Sequence, residues 1–141
     1  MSRFAEIRKL LETRQPGTDL EIITNEEIQQ LSVTHPGIPS DLIELYAEIG
    51  YGGIGNSAYM IHFPMGPEFI YGDPPPPNLE RKVIVGDDFA GHCEAYDTKE
   101  DWTFGTILPG GKFEPDPDCK SFVDFLCEWI GNPENESRKS Q

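Results

Sequence analysis

With 141 residues, 37% of them hydrophobic, the chain is long enough for one domain with a core that needs neither metals nor disulfides. Lys and Arg number 11 against 25 Asp and Glu, a net charge of -14, and no Lys or Arg occurs from Gln15 to Glu80, where ten acidic residues lie. That field excludes nucleic acid and anionic membrane as direct partners; it either favours a basic partner or serves only solubility.

Three cysteines, Cys93, Cys119 and Cys127, without CxxC spacing suggest neither a disulfide framework nor a zinc site, and point to a reducing cytoplasm. No apolar run approaches the ~18 residues of a membrane span, and nothing in the chain directs export.

Phe4, Ile7, Leu10 and Leu11 follow helical spacing, and Pro16-Gly17 stops them. Thr24 with Glu27 forms a capping box, which predicts a second helix over Asn25 to Leu31. A third helix opens near Pro39-Ser40 with the stripe Leu42, Leu45, Tyr46, Ile49; Glu44 and Glu48 stand on its wet face with no basic residue nearby in sequence. After Gly50 the period becomes strand-like. Gly52-Gly53 and Gly55-Asn56 read as a loop, Ser57 to Phe63 and Glu68 to Tyr71 as strands, and Pro74 to Pro77 as a stiff extended connector without N–H groups for a sheet.

Val83 to Asp97 reads as a hairpin. Val83, Ile84 and Val85 suit a strand covered on both faces, and Asp87 and Asp88 fall where it emerges into water. Asp97 to Asp101 reads as a turn, and Trp102 to Leu108 as a strand with Trp102, Phe104 and Thr106 on one face. An acidic loop, Glu114 to Asp118, follows. The last helix opens with Ser121 as N-cap and carries Phe122, Phe125, Leu126, Trp129 and Ile130; residues 132–141 read as a flexible tail after a single domain, 1–131.

Catalytic chemistry finds no motif. His35, His62 and His92 share no recognisable arrangement, and His92 and Cys93, as strand neighbours, would point to opposite faces. Asp87, Asp88 and Asp97, or Asp116 with Asp118, are possible hard-oxygen ligands but lack EF-hand spacing, and no GxGxxG or P-loop supports a nucleotide. Neither metal nor cofactor is expected. Binding remains: carboxylates on loops at one end of a sheet, Asp87, Asp88, Asp97, Glu100, Asp101, Asp116 and Asp118, with Phe89 and Trp102 as aromatic anchors, would form a rim for a basic protein.

Five pieces in order carry a resemblance: Ile38-Pro39-Ser40-Asp41-Leu42 through Ile49, Gly52-Gly53, Ile84-Val85-Gly86-Asp87-Asp88, the return strand to Tyr96-Asp97, and Ser121-Phe122-Val123-Asp124-Phe125-Leu126. Together they resemble the SUKH superfamily, whose bacterial members are mostly immunity proteins of polymorphic toxin systems and whose fungal members include cell-wall regulators. The chain departs from the family's usual pattern at Phe89-Ala90-Gly91 and Leu108-Pro109-Gly110. The resemblance implies an α+β fold, a central, mostly antiparallel sheet of about five to six strands with N-terminal helices and a C-terminal helix packed against it, and no catalysis. It also implies an immunity protein that binds a cognate toxin, such as a basic nuclease, and occludes its active surface; an intracellular regulatory or scaffold domain without a toxin partner is the alternative.

Overall fold

The computed structural model describes residues 3–56 and 58–131; the tail expected at 132–141 lies outside the described residues, as does Ser57. The fold is α+β. Seven strands form one antiparallel sheet in which every strand pairs with its neighbours in sequence: β1 Asp19–Glu21, β2 Tyr51–Ile54, β3 Tyr59–Met65, β4 Lys82–Asp87, β5 Cys93–Asp97, β6 Thr103–Leu108 and β7 Lys112–Pro115. The helices are α1 Arg3–Arg14, α2 Asn25–Thr34, α3 Ser40–Glu48, the single turn α4 Glu68–Tyr71, and α5 Phe122–Gly131.

Local chemistry sets the long helices. The capping box forms as expected: the Glu27 amide donates to Thr24 Oγ1 at 3.2 Å, and the Thr24 amide donates to the Glu27 carboxylate at 3.0 Å. At α5 the Asp124 amide donates to Ser121 Oγ at 3.1 Å. Glu48, unopposed in sequence, is met by Arg8 of α1 at 2.6 Å, a pairing that only helix packing brings about.

Both faces of the sheet are covered. One core joins Ile7, Leu31, Leu42, Leu45 and Tyr46 from the helices to Val83, Val85, Tyr96 and Phe104 of the sheet, with Phe122, Val123 and Leu126 of α5 packed in. On the other face Ile84, Cys93, Ala95 and Ile107 meet Leu79, supplied by a 3₁₀ turn at Pro77–Leu79. β4 is the middle strand, so the uninterrupted Val83-Ile84-Val85 run is buried from both sides as expected.

Three strands were not expected, and one expected strand is absent. Glu68–Tyr71 is a helical turn: Pro67 sits in helical φ/ψ, and the Tyr71 amide donates to its carbonyl at 2.8 Å. Apolar content had suggested a strand where proline fixes the start of a turn. β2 contains the glycine pair read as a loop; Gly52 has φ of +139° and takes the Asp19 carbonyl of β1 where a Cβ would stand, so close strand approach requires glycine there. β1 and β7 are short edge strands without a hydrophobic alternation to announce them. The proline connector is extended only to Pro76, after which Pro77 begins the 3₁₀ turn.

Candidate functional site

Residue order along β5 fixes what lies where. Cys93, Ala95 and Ile107 belong to the core opposite the helices, so Glu94, between Cys93 and Ala95, points to the helix face. There it is 3% exposed. The Tyr59 hydroxyl of β3 donates to its Oε1, and Thr106 Oγ1 of β6 donates to Oε2 at 3.2 Å. Burial pushes the Glu94 carboxyl up to about 7; the two hydroxyls pull it down, and the negative charges of Asp88 and Asp87 push it further up.

Glu94 is not sealed in. It forms part of the lining of a cavity of about 380 Å³, with Tyr59, Phe125 and Trp129 as aromatic walls and Asp88, Glu114, Asp116 and His92 among its polar groups. That volume falls within the ~300–1,000 Å³ of small-ligand pockets. Another hollow, about 440 Å³ and more open, lies beside α1, but its cation Arg8 is already paired with Glu48.

Asp87 and Asp88 have structural work in the turn. Asp87 Oδ1 accepts the Phe89 amide at 2.7 Å; Asp88 Oδ1 accepts the amides of Ala90 at 2.8 Å and His92 at 3.1 Å. The second oxygen of each faces a histidine: Asp87 Oδ2 lies 3.8 Å from His62 Nε2, and Asp88 Oδ2 lies 3.1 Å from His92 Nδ1, neither aligned as a hydrogen bond. His62 is held below the usual histidine range by burial, against the opposing pull of Asp87. Asp88→Ala is therefore expected to destabilise the fold by about 2 kcal/mol, because two turn amides lose a charged acceptor. Urea unfolding checks this, and an unchanged midpoint would return Asp88 to the status of a free surface charge.

The nine residues expected to form one rim do not lie together. Asp88 and Asp116 line the same cavity. Asp87, whose register partner is Cys93, lies on the opposite face of the sheet. Phe89, at the turn, is 50% exposed with a left-handed backbone. Asp97 ends β5 and Glu100, Asp101 and Trp102 follow it, a strand's length from the turn, because an antiparallel hairpin sends its turn and its strand ends apart. Asp97 is 8% exposed, sits 3.4 Å from Lys82 Nζ and accepts the Lys99 amide at 3.1 Å, so it is an internal charge.

Trp102, expected within β6, precedes that strand at φ +56°. Its indole N–H donates to the Pro36 carbonyl at 3.1 Å and its ring packs on Tyr96 at 5.7 Å, tying the α2–α3 connection to the sheet. Glu100, Asp101 and Asp118 are exposed. Asp116 Oδ1 accepts the amides of Asp118 at 2.8 Å and Cys119 at 2.7 Å while the residue lines the cavity.

Sequence reasoning missed Glu94. Its signal was present: a lone carboxylate in a run, Cys93-Glu94-Ala95-Tyr96, expected inside a sheet. Tyr59, Thr106, Glu114 and Trp129 carried no such signal, since they reach the cavity from four separate elements. Among the described residues no helix is long and apolar enough to cross a membrane. Comparisons with family models, with curated proteins and with solved structures found no match.

Proposed function

We propose that the protein is a cytoplasmic immunity protein that binds a cognate toxin with a basic surface, such as a nuclease, and neutralises it by occlusion. The observation that carries this reading is the cavity beside the hairpin turn, whose lining includes Asp88, Glu94, Glu114 and Asp116 and, among the described residues, no Lys or Arg. The net charge of -14 supports it, because an acidic field steers a basic partner toward that cavity and accelerates association by ~10 to 10³-fold, less at high salt. The mechanism is competition: carboxylates occupy cationic groups with which the toxin grips phosphates. The resemblance to immunity proteins supports the same assignment and implies no catalysis.

Co-expression with a toxin encoded by a neighbouring gene tests it. Growth is expected to be rescued, and binding to weaken steeply as salt is added; continued killing in the presence of folded protein overturns the immunity reading. A regulatory or scaffold domain is the second reading. It draws on Phe69, 74% exposed, and its neighbour Ile70 on α4, an apolar surface separate from the acidic cavity. A gene neighbourhood without a toxin, together with a partner that contacts α4, would favour it.

A further inference from the structure

Two carboxylates are buried among the described residues, and they are held differently. Asp97 has a counter-charge in Lys82. Glu94 has only two neutral hydroxyls, and no ion pair among the described residues reaches it. A buried acid without a cation is costly, by several kcal/mol when ionised. A purely structural role would be served by a neutral side chain, yet here the acid faces a cavity with aromatic walls.

The walls narrow the choice of occupant. Phe125 and Trp129, both partly exposed, offer ring surface to an aliphatic stem and a π face to a cation, while the fully buried Tyr59 backs them and holds Glu94. Asp88, Glu114 and Asp116 supply further acceptors for N–H donors that Glu94 leaves unused. Among the described residues no three His, Cys, Asp or Glu side chains are grouped to hold a metal ion, so an inorganic cation lacks a ligand set.

We infer that the cavity over Glu94 is a receptor for one guanidinium or ammonium group on an aliphatic stem, presented by a basic side chain of the partner. This rests on the reading of the protein as a binder of a basic partner and names where that partner is gripped. Glu94 keeps its proton to about pH 7 in the empty cavity, and an entering cation takes the proton's place. Binding therefore releases a proton, and affinity rises by up to about tenfold per pH unit below that value and levels above it. Among the described residues the titratable and polar groups around Glu94 are Tyr59 from β3, Asp88 and His92 from the turn, Thr106 from β6, and Glu114 and Asp116 from β7 and the loop after it, with Asp87 acting on it only through its charge from the other face of the sheet; α5 contributes the rings of Phe125 and Trp129. His92 is the histidine in the cavity lining, so His92→Gln serves as control.

Calorimetric titration of the whole protein with agmatine, N-acetyl-arginine amide and the neutral N-acetyl-citrulline amide tests the inference. Both cations are expected to bind, with the citrulline compound at least about tenfold weaker. Glu94→Gln should weaken both cations by about tenfold or more and abolish the pH dependence, whereas Glu100→Gln, outside the cavity, changes neither and His92→Gln leaves the rise in place. Citrulline binding as well as arginine, or Glu94→Gln binding both cations unchanged, overturns the inference. Preference for the arginine amide supports a protein side chain as the source of the cation; a clear preference for agmatine overturns the partner side chain as the occupant and makes a free small cation the ligand. The two readings fail separately: growth rescue that survives Glu94→Gln leaves immunity standing without this receptor, and cation binding without rescue does the reverse.

Discussion

Replacing Glu94 with glutamine should make the folded protein more stable, by an amount that grows with pH. The Glu94 carboxyl titrates at about 7 in the folded state, above its ordinary value of 4.5. Below about 4.5 it is protonated in both folded and unfolded chains and imposes no penalty. As pH rises toward 7 the unfolded chain ionises first, so stability drains away, and above 7 the loss is complete at about 3 kcal/mol. Glutamine keeps an oxygen for the Tyr59 hydroxyl and has no charge to desolvate. Urea unfolding of the two proteins is expected to differ little near pH 5 and by about 3 kcal/mol near pH 8. A difference that stays constant across that range would mean that the buried acid is not the source. Greater stability together with lost cation binding is the signature of a residue retained for a site rather than for the fold.

Gly86→Ala is expected to act in the opposite direction and as strongly. A methyl group there would coincide with the Tyr59 hydroxyl and stand 2.8 Å from Tyr59 Cζ and 2.9 Å from Phe122 Cε1. Both rings are fully buried, and Tyr59 is flanked by Phe125 at 6.0 Å and Trp129 at 5.1 Å, so neither ring has space to swing aside. Overpacking of this kind costs ~1–3 kcal/mol, and displacing the Tyr59 hydroxyl from Glu94 adds ~1–3 kcal/mol. Denaturation should show a loss of about 3 kcal/mol or more. In a Tyr59→Phe background the alanine should cost less, since the hydroxyl it displaces is gone; a penalty identical in both backgrounds would separate Gly86 from the Tyr59–Glu94 pair.

These effects recast Gly86-Asp87-Asp88. A register irregularity between Ile84 and Gly86 turns Val85 and Gly86 both toward the helices, and glycine there leaves the room that Tyr59 needs to reach Glu94. Asp87 and Asp88 then close the turn through its amides. Asp88 both shapes the cavity and adds to its charge, whereas Asp87 belongs to the other face.

The sequence by itself determined the long helices, the central hairpin and the sign of the field. Each rests on interactions between residues near in the chain or on simple summation: the Thr24–Glu27 reciprocal cap, the i, i+3, i+4, i+7 stripe from Leu42 to Ile49, and the β-branched run ahead of Gly86. Only the tertiary structure decided the rest. β1, β2 and β7 exist because a neighbouring strand supplies their hydrogen bonds, which runs of three or four residues, mostly polar in β1 and carrying glycine or proline in β2 and β7, do not announce. Asp97 and Glu94, two carboxylates three residues apart, became an internal ion pair and an uncompensated acid because Lys82 lies opposite one and an open cavity beside the other. Desolvation and proximity are properties of where distant segments meet, and no local pattern in a chain encodes them.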